Sequence, residues 1–263
     1  MLGAIAGDII GSFYEHGGLK YYDFDLFYPR NRFTDDTVMT LAVAQWLMSS
    51  SEKSKDDLIR IMQSLGRKYP RAGYGKSFNE WLCSDNPQPY NSWGNGAAMR
   101  VSPVGLYAET LDEALMLARI SAEVSHDHPE GVAGAQAVAS AVWMARKGYT
   151  KDEIKEYISG EFGYDLDRSI DEIRPTYLWD VSCQGSVPES IIAFIEGRDF
   201  EDVIRLAVSL GGDTDTMACI AGSVASCVYQ IPEYISSECE KRLTPELLSI
   251  LRDFELCVVE RDM

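Results

Sequence analysis

The spacing of apolar residues constrains this chain more than any other property. They recur at three- and four-residue intervals, and the strict alternation of a half-buried strand is hard to find. The pattern runs through Thr37–Met48 (TVMTLAVAQWLM), Leu111–Val124, Val132–Arg146, Asp202–Leu210 and Pro245–Val259. Helix-start signals accompany it. Asp112-Glu113 would fill a first turn, Thr150 precedes Lys151-Asp152-Glu153, Ser186 stands before Pro188-Glu189, and Thr244-Pro245-Glu246 reads as a cap with Pro at the first helical position. The expectation is an all-α fold, a compact bundle of many helices. No Pro/Ser-rich linker, charge block or fixed-period repeat divides the chain, so residues 1–263 are expected to form one domain.

Two of these helices are unusually slim. Gly3, Gly7 and Gly11 recur every four residues in the first, a stripe that lets another helix approach closely; Ala135, Ala137, Ala139, Ala141 and Ala145 thin the helix after Pro129. A tightly packed centre holds site residues rigidly. Size allows it: at 29.3 kDa the folded chain should expose roughly 11,500 Å².

Forty-one acidic against twenty-four basic residues give a net charge of −17, yet 46% hydrophobic and 11% aromatic content excludes an acidic disordered segment. With a pI near 4.5 and no basic run, a footprint on nucleic-acid phosphates or on an anionic membrane is not expected. An anionic ligand must be held by something local: a metal, a helix N-terminus or a few placed Arg. The N-terminal apolar stretch is short, carries Asp8 and lacks a basic lead, so it reads as a structural helix rather than a signal peptide, and no run approaches a membrane span. Six cysteines with no C-x-x-C pair support neither a disulfide framework nor a zinc knuckle, and Cys219 and Cys227 read as core filler. A reduced, cytoplasmic monomer is the expectation.

Two acidic clusters stand at the starts of apolar helices: Phe33-Thr34-Asp35-Asp36-Thr37 and Gly211-Gly212-Asp213-Thr214-Asp215-Thr216. One Thr or Asp suffices for a helix cap. Each cluster instead offers two carboxylates and two hydroxyls, and like charges that close repel unless a cation intervenes. Oxygen donors without nearby His or Cys suit a hard ion, Mg²⁺ or Mn²⁺.

Three further stretches could carry chemistry. Asn91-Ser92-Trp93-Gly94-Asn95-Gly96-Ala97-Ala98-Met99-Arg100 combines bare amides, permissive backbone and a flat aromatic, which suits a phosphate cradle with Trp93 stacked on a base, or simply a turn. Ser125-His126-Asp127-His128-Pro129 places two imidazoles beside a helix start. Glu15 lies where the first helix runs into a Tyr/Phe/Asp-rich loop that ends at Thr34.

Taken in order, GDIIGSFYE (7–15), FTDDTVM (33–39), SWGNGAAMRVSPVG (92–105), Ser125-His126 before a small-residue helix, and GGDTDT (211–216) resemble the ADP-ribosylglycohydrolase family, from residue 3 to about 228. The resemblance implies an all-α fold with two Mg²⁺ ions (Mn²⁺ being the alternative) in a cleft, and removal of ADP-ribose from modified protein side chains or related conjugates. By motif, Thr34, Asp35, Asp36, Asp213, Asp215 and Thr216 would ligate the ions. Asn91, Ser92, Trp93, Gly94, Asn95 and Gly96 would hold the pyrophosphate and adenine, with Tyr90 as a second stacking aromatic. His126 would contact the ligand, and Glu15 would sit on a mobile flap that controls catalysis. Hydrolysis at the anomeric carbon would then use Glu15, Asp35 or Asp36. Two other readings stay open: a Mg²⁺-dependent hydrolase of another ribosyl metabolite, and a non-enzymatic member, since the resemblance extends to certain lens crystallins.

Overall fold

In the computed structural model, which describes residues 1–49 and 52–262, the chain is helical throughout. The helices are α1 (Leu2–Gly11), α2 (Asp35–Ser49), α3 (Lys55–Lys68), α4 (Lys76–Cys83), α5 (Gly96–Met99), α6 (Ser102–Tyr107), α7 (Leu111–Glu123) and α8 (Pro129–Arg146). They continue as α9 (Lys151–Phe162), α10 (Ile170–Ile173), α11 (Cys183–Glu196), α12 (Phe200–Ser209), α13 (Thr214–Val228), α14 (Glu233–Glu240) and α15 (Pro245–Asp262). Among the described residues there is no strand; one isolated antiparallel bridge joins Gly94 to Ser182. The surface is 11064 Å², near the value expected from mass, and one continuous apolar core runs through the bundle. Among the described residues, no helix is long and apolar enough to cross a membrane.

Local signals explain most helix starts. Thr150 accepts from the Glu153 amide while Glu153 reaches back to Thr150, a full capping box, and Thr110 accepts from Glu113 N. Thr244 accepts from Leu247 N ahead of Pro245 at the first position of α15. One start differs from the sequence reading. α11 begins at Cys183, capped by Ser182 through Gly185 N, so Ser186, Pro188 and Glu189 lie inside it. Pro fixes a helical φ wherever it stands, so Pro188 is compatible with a helix that Ser182, four residues before Ser186, has already capped. Of the two expected core cysteines, Cys219 is buried and Cys227 half-buried.

The glycine stripe sets the centre. A Cβ on Gly3, Gly7 or Gly11 would fall within 2.5 Å of α13, against the carbonyls of Gly222 (2.3 Å), Ala218 (1.9 Å) and Thr214 (2.3 Å) respectively. The descending order makes the two helices antiparallel. This near-contact of backbones brings the C-terminal end of α1, with Asp8, alongside the N-terminal turn of α13, with Asp215.

Candidate active site

The ends of three helices converge there: α1 at Asp8, α2 at Asp35 and Asp36, α13 at Asp215, with Asp213 just ahead of it. Gly211 and Gly212, at φ +68° and +80°, give the turn that lets the chain double back from α12 into α13, a conformation costly for residues with a Cβ. Carboxylate oxygens of Asp8, Asp36 and Asp215 lie within 4.8 Å of one another, and so do those of Glu15, Asp213 and Asp215. The two acidic clusters of the sequence therefore become two overlapping oxygen groups that share Asp215.

Asp8, which sequence reasoning did not assign to the site, is the hub. It accepts from the amides of Thr34 (2.9 Å) and Thr37 (3.1 Å), from Thr34 Oγ1 (2.7 Å) and from Thr37 Oγ1, so it fixes the start of α2. Thr34 and Thr216 hydroxyls lie 3.3 and 3.4 Å from Asp36 Oδ2, while Asp36 Oδ1 is buried without a partner. Burial pushes the Asp8 carboxyl up to about 6, and burial followed by the Asp8 charge pushes Asp35 up to about 8. Asp36 and Asp215 are driven well above the carboxylate range, by burial and then by their neighbours' charges; burial also raises Asp213 and Glu15. None of the six is ion-paired to Lys or Arg among the described residues. Buried oxygen-only donors, one of them orphaned, fit hard divalent cations. Asp35 lines the cleft but stands outside both close groups.

From this acidic end a cleft of about 450 Å³ runs to the Ser92–Gly96 loop. The loop is braced from behind, Asn95 N donating to Val181 O (2.8 Å) and Cys183 N to Trp93 O (2.9 Å). Ser92, Gly94, Asn95, Gly96, Tyr90 and His126 line the cleft. The Asn95 side-chain amide is committed to Asp213 Oδ2 (2.6 Å), which ties the loop to the acids. Asn91 and Trp93 are not in the lining: Asn91, at φ +52°, donates its amide to Asp127 (2.7 Å), and Trp93 is 54% exposed beside His128. Beside His126, the aromatics that do line it are Tyr90, 5.4 Å from that ring, and Phe78 and Trp179, neither of which sequence reasoning assigned to the site.

Arg100 is fully buried behind this end. Its Nη2 donates to Ser121 O (2.6 Å) and Ser125 Oγ (2.9 Å), and Nε and Nη1 have no partner. Ser125 Oγ is 2.8 Å from His126 Nδ1. A guanidinium only donates, so Ser125 accepts from it, and the arrangement that strands no hydrogen has Ser125 donating to Nδ1. The ring proton then sits on Nε2, the edge facing Gly96, where a Cβ would lie 3.0 Å away. Burial, then the Arg100 charge, pushes His126 well below its ordinary pKa and keeps it neutral.

The loop bearing Glu15 is pinned along its length. Tyr14 OH donates to Asp25 O (2.6 Å), Phe13 stacks on Tyr28 (4.4 Å), and Arg205 Nη1 donates to Phe24 O (2.7 Å). Lys20 donates to Tyr177 O (2.6 Å) and to Leu210 O, joining the loop to the glycine turn. Glu15 itself, with 28% of its side chain exposed, is the one half-buried acid of the two groups, and His16 beside it lies 5.3 Å from the Trp179 ring.

The sequence matches the ADP-ribosylglycohydrolase family over residues 1–260. Human ADP-ribosylhydrolase ARH3 is 27% identical over 91% of this chain and 88% of its own length. The ADP-ribosylarginine hydrolase Tri1 of Pseudomonas putida is 25% identical over 77% of this chain and 61% of that protein. A solved ADP-ribosylglycohydrolase-related protein complex superposes with a TM-score of 0.73 at 24% identity, covering 100% of this chain and 97% of the other, and shows the same fold. A match that takes in every helix carrying the site, α1, α2, α4, α5 and α13, places this chain in the ADP-ribosylglycohydrolase family.

Proposed function

We propose that the chain is a Mg²⁺-dependent hydrolase that cleaves the bond between the anomeric carbon of ADP-ribose and a modified protein side chain or related conjugate, releasing ADP-ribose. The observation that carries this reading is the pair of oxygen groups sharing Asp215 at one end of a cleft whose other end is the Ser92–Gly96 loop. Asp8, Asp36 and Asp215 would hold one ion and Glu15, Asp213 and Asp215 a second, with Thr34, Thr216 and Asp35 at their edges. When bound, the ions supply a charged platform that grips the ribose hydroxyls and stabilises charge at the anomeric carbon.

The chain's own groups do the rest. Amides of Ser92 and Gly96 and the Nε2–H of His126 are the donors offered to the pyrophosphate, the Gly94 amide being held by Ser92 Oγ at 3.1 Å, and Tyr90 and Phe78 offer faces for adenine. Water adds to the anomeric carbon as the glycosidic bond breaks, and its proton passes to the leaving atom. Glu15 is the acid of the two groups placed for that transfer, because its partial exposure allows exchange with solvent. All of these residues come from one chain, so a monomer can act.

The test is a panel of Arg-, Ser- and nucleic-acid-linked ADP-ribose, with O-acetyl-ADP-ribose, assayed with and without Mg²⁺ or Mn²⁺. Free ADP-ribose with an intact pyrophosphate is expected, lost on chelation. Turnover that survives exhaustive chelation removes the metal-dependent reading; tight ADP-ribose binding with no turnover on any linkage marks a non-enzymatic binder.

A further inference from the structure

A second hollow of about 430 Å³ opens beside the cleft, and the two share a wall, the side chain of Trp179. It is built by the segment between α10 and α11 together with the first turns of α11. Its charged lining is Glu172, Asp180 and Glu189 against Arg168 alone. Asp180 and Glu172 serve as acceptors for backbone amides, of Ser182 (2.8 Å) and Ser169 (2.8 Å). Glu189 is different. Only 6% of its side chain is exposed; Oε1 accepts from Arg168 Nη1 at 2.8 Å, and Oε2 has no partner. A buried carboxylate oxygen left unmatched costs free energy, so a site that keeps one is suited to a donor from outside.

We propose that this hollow is a subsite for a cationic side chain, Lys or Arg, borne by the protein part of the conjugate near the modified residue. The proposal rests on the reading of the chain as a deconjugating hydrolase and adds a substrate class to it. The charge balance selects a cation: three carboxylates face one guanidinium, so an anion is repelled and an apolar group leaves Glu189 Oε2 unmatched. The aromatic wall agrees: Lys20 Nζ already lies 5.7 Å from the Tyr177 ring centroid, and the Trp179 indole offers a second face that attracts an ammonium or guanidinium. Position favours a protein substrate over a free small cation. A conjugate seated with its anomeric carbon at the acids leaves past Glu15 and His16, and the His16 ring lies 5.3 Å from Trp179. The next side chain along the substrate then meets an indole with the acidic hollow on its other side. Leu178, 80% exposed, stands at the tip of the same segment.

The experiment compares peptides carrying ADP-ribose on one residue, with Lys or Arg placed within three positions on either side or replaced by Gln, with kcat and KM measured in Mg²⁺. Wild type should favour the best basic peptide about tenfold in kcat/KM, chiefly through KM, and added salt should shrink that preference. The double variant Glu172→Gln, Asp180→Asn keeps both amide acceptors and leaves the ion-binding groups untouched. It should bring the preference close to unity while turnover of the neutral peptide stays at the wild-type level. Glu189→Gln should do the same, with a thermal melt to show that it folds. Equal KM for basic and neutral peptides, or a preference that survives the double variant, overturns the subsite and leaves the hydrolase reading standing. Failure to release ADP-ribose from any peptide overturns both.

Discussion

At one end of the cleft, Asp8, Asp36 and Asp215 crowd their oxygens within 4.8 Å with no Lys or Arg bonded to them; at the other, Arg100 is wholly buried with no carboxylate partner. Each end holds the charge the other lacks, and the fold keeps them apart. Had stability alone been served, apolar residues of similar volume would fit either end better, because buried charge is costly to desolvate. The contrast shows what each end is arranged for. The acids are unbalanced, an arrangement that suits cations. The cation is held through neutral groups, Ser121 and Ser125, with Nε and Nη1 left without hydrogen-bond partners, and it bears on the cleft both from its wall and through the state of His126.

The sharpest way to break this contrast is to remove charge at the acidic end. Asp36→Asn or Asp215→Asn should lower ADP-ribose release on the order of a thousandfold, the scale seen when one organised electrostatic contact to a transition state is lost. Stability should move the other way in chelator: with one fewer buried carboxyl forced to hold a proton, each variant should melt above metal-free wild type, while the rise in melting temperature on adding Mg²⁺ shrinks. A variant that loses activity yet keeps the full Mg²⁺ shift would mean that the carboxylate does not hold an ion.

Next in size is the pH dependence of the metal-free protein. Asp8 and Asp35 titrate near 6 and 8 when folded, against about 3.8 ordinarily. Between those limits the folded chain holds more protons than the unfolded one, so the free energy of unfolding falls as pH rises. The loss begins near pH 4 and is complete above about 8. Water damps the share of half-buried Asp35. The chelated protein should therefore be less stable at pH 8 than at pH 5.5 by on the order of 2 kcal/mol, roughly 5 °C in melting temperature. Saturating Mg²⁺ should flatten the slope. A metal-free protein that melts higher at pH 8 would show that these carboxyls are not raised.

The same contrast explains what was legible in the sequence. Thr34-Asp35-Asp36 and Asp213-Thr214-Asp215-Thr216 stood out because each packs its oxygens into a few consecutive residues, and the α1 glycine stripe foretold a close partner for the same reason. Asp8 was passed over although it sat in plain view, one carboxylate in a helix that is apolar on every side. Its partners, Thr34 and Thr37, are 26 and 29 residues away, and only the packing of α1 on α2 and α13 joins them. Arg100 and Phe78 escaped too, because a lone Arg after a turn and a Phe on an amphipathic helix have ordinary explanations. Trp93 stands differently from what its neighbours suggested. Flatness next to glycines suggested stacking, but the bracing of the loop by Val181 and Cys183 turns that ring to solvent and leaves Tyr90 in the cleft. The loop after α1, expected to be a mobile flap, makes side-chain ties through Lys20, Arg205 and Tyr14 on either side of Glu15, which no local sequence pattern announces.

At the basic end the effects should be smaller. Arg100→Met removes a buried cation that has no ion-pair partner, so its melting temperature should stay within a few degrees of wild type. ADP-ribose affinity should fall about tenfold, because Ser125 and His126 lose the donor that orders them, a loss of the size found when groups that orient a site residue are removed. An affinity unchanged in a folded Arg100→Met would show that His126 needs no such support.

Ser125→Ala isolates the last link. Arg100 remains, yet His126 Nδ1 loses its donor in a place that water reaches poorly, and nothing then favours the proton on Nε2 over Nδ1. Nitrogen-15 shifts of the imidazole should read a single Nε2–H tautomer in wild type and a mixture in the variant, with ligand affinity down roughly threefold to tenfold. Ser125→Thr keeps the hydroxyl and should restore the single tautomer, which a merely structural role for the side chain would not do. If the wild-type ring already shows its proton on Nδ1, Ser125 must accept from both neighbours, and the donor that the cleft presents to an anion is then the loop amides alone.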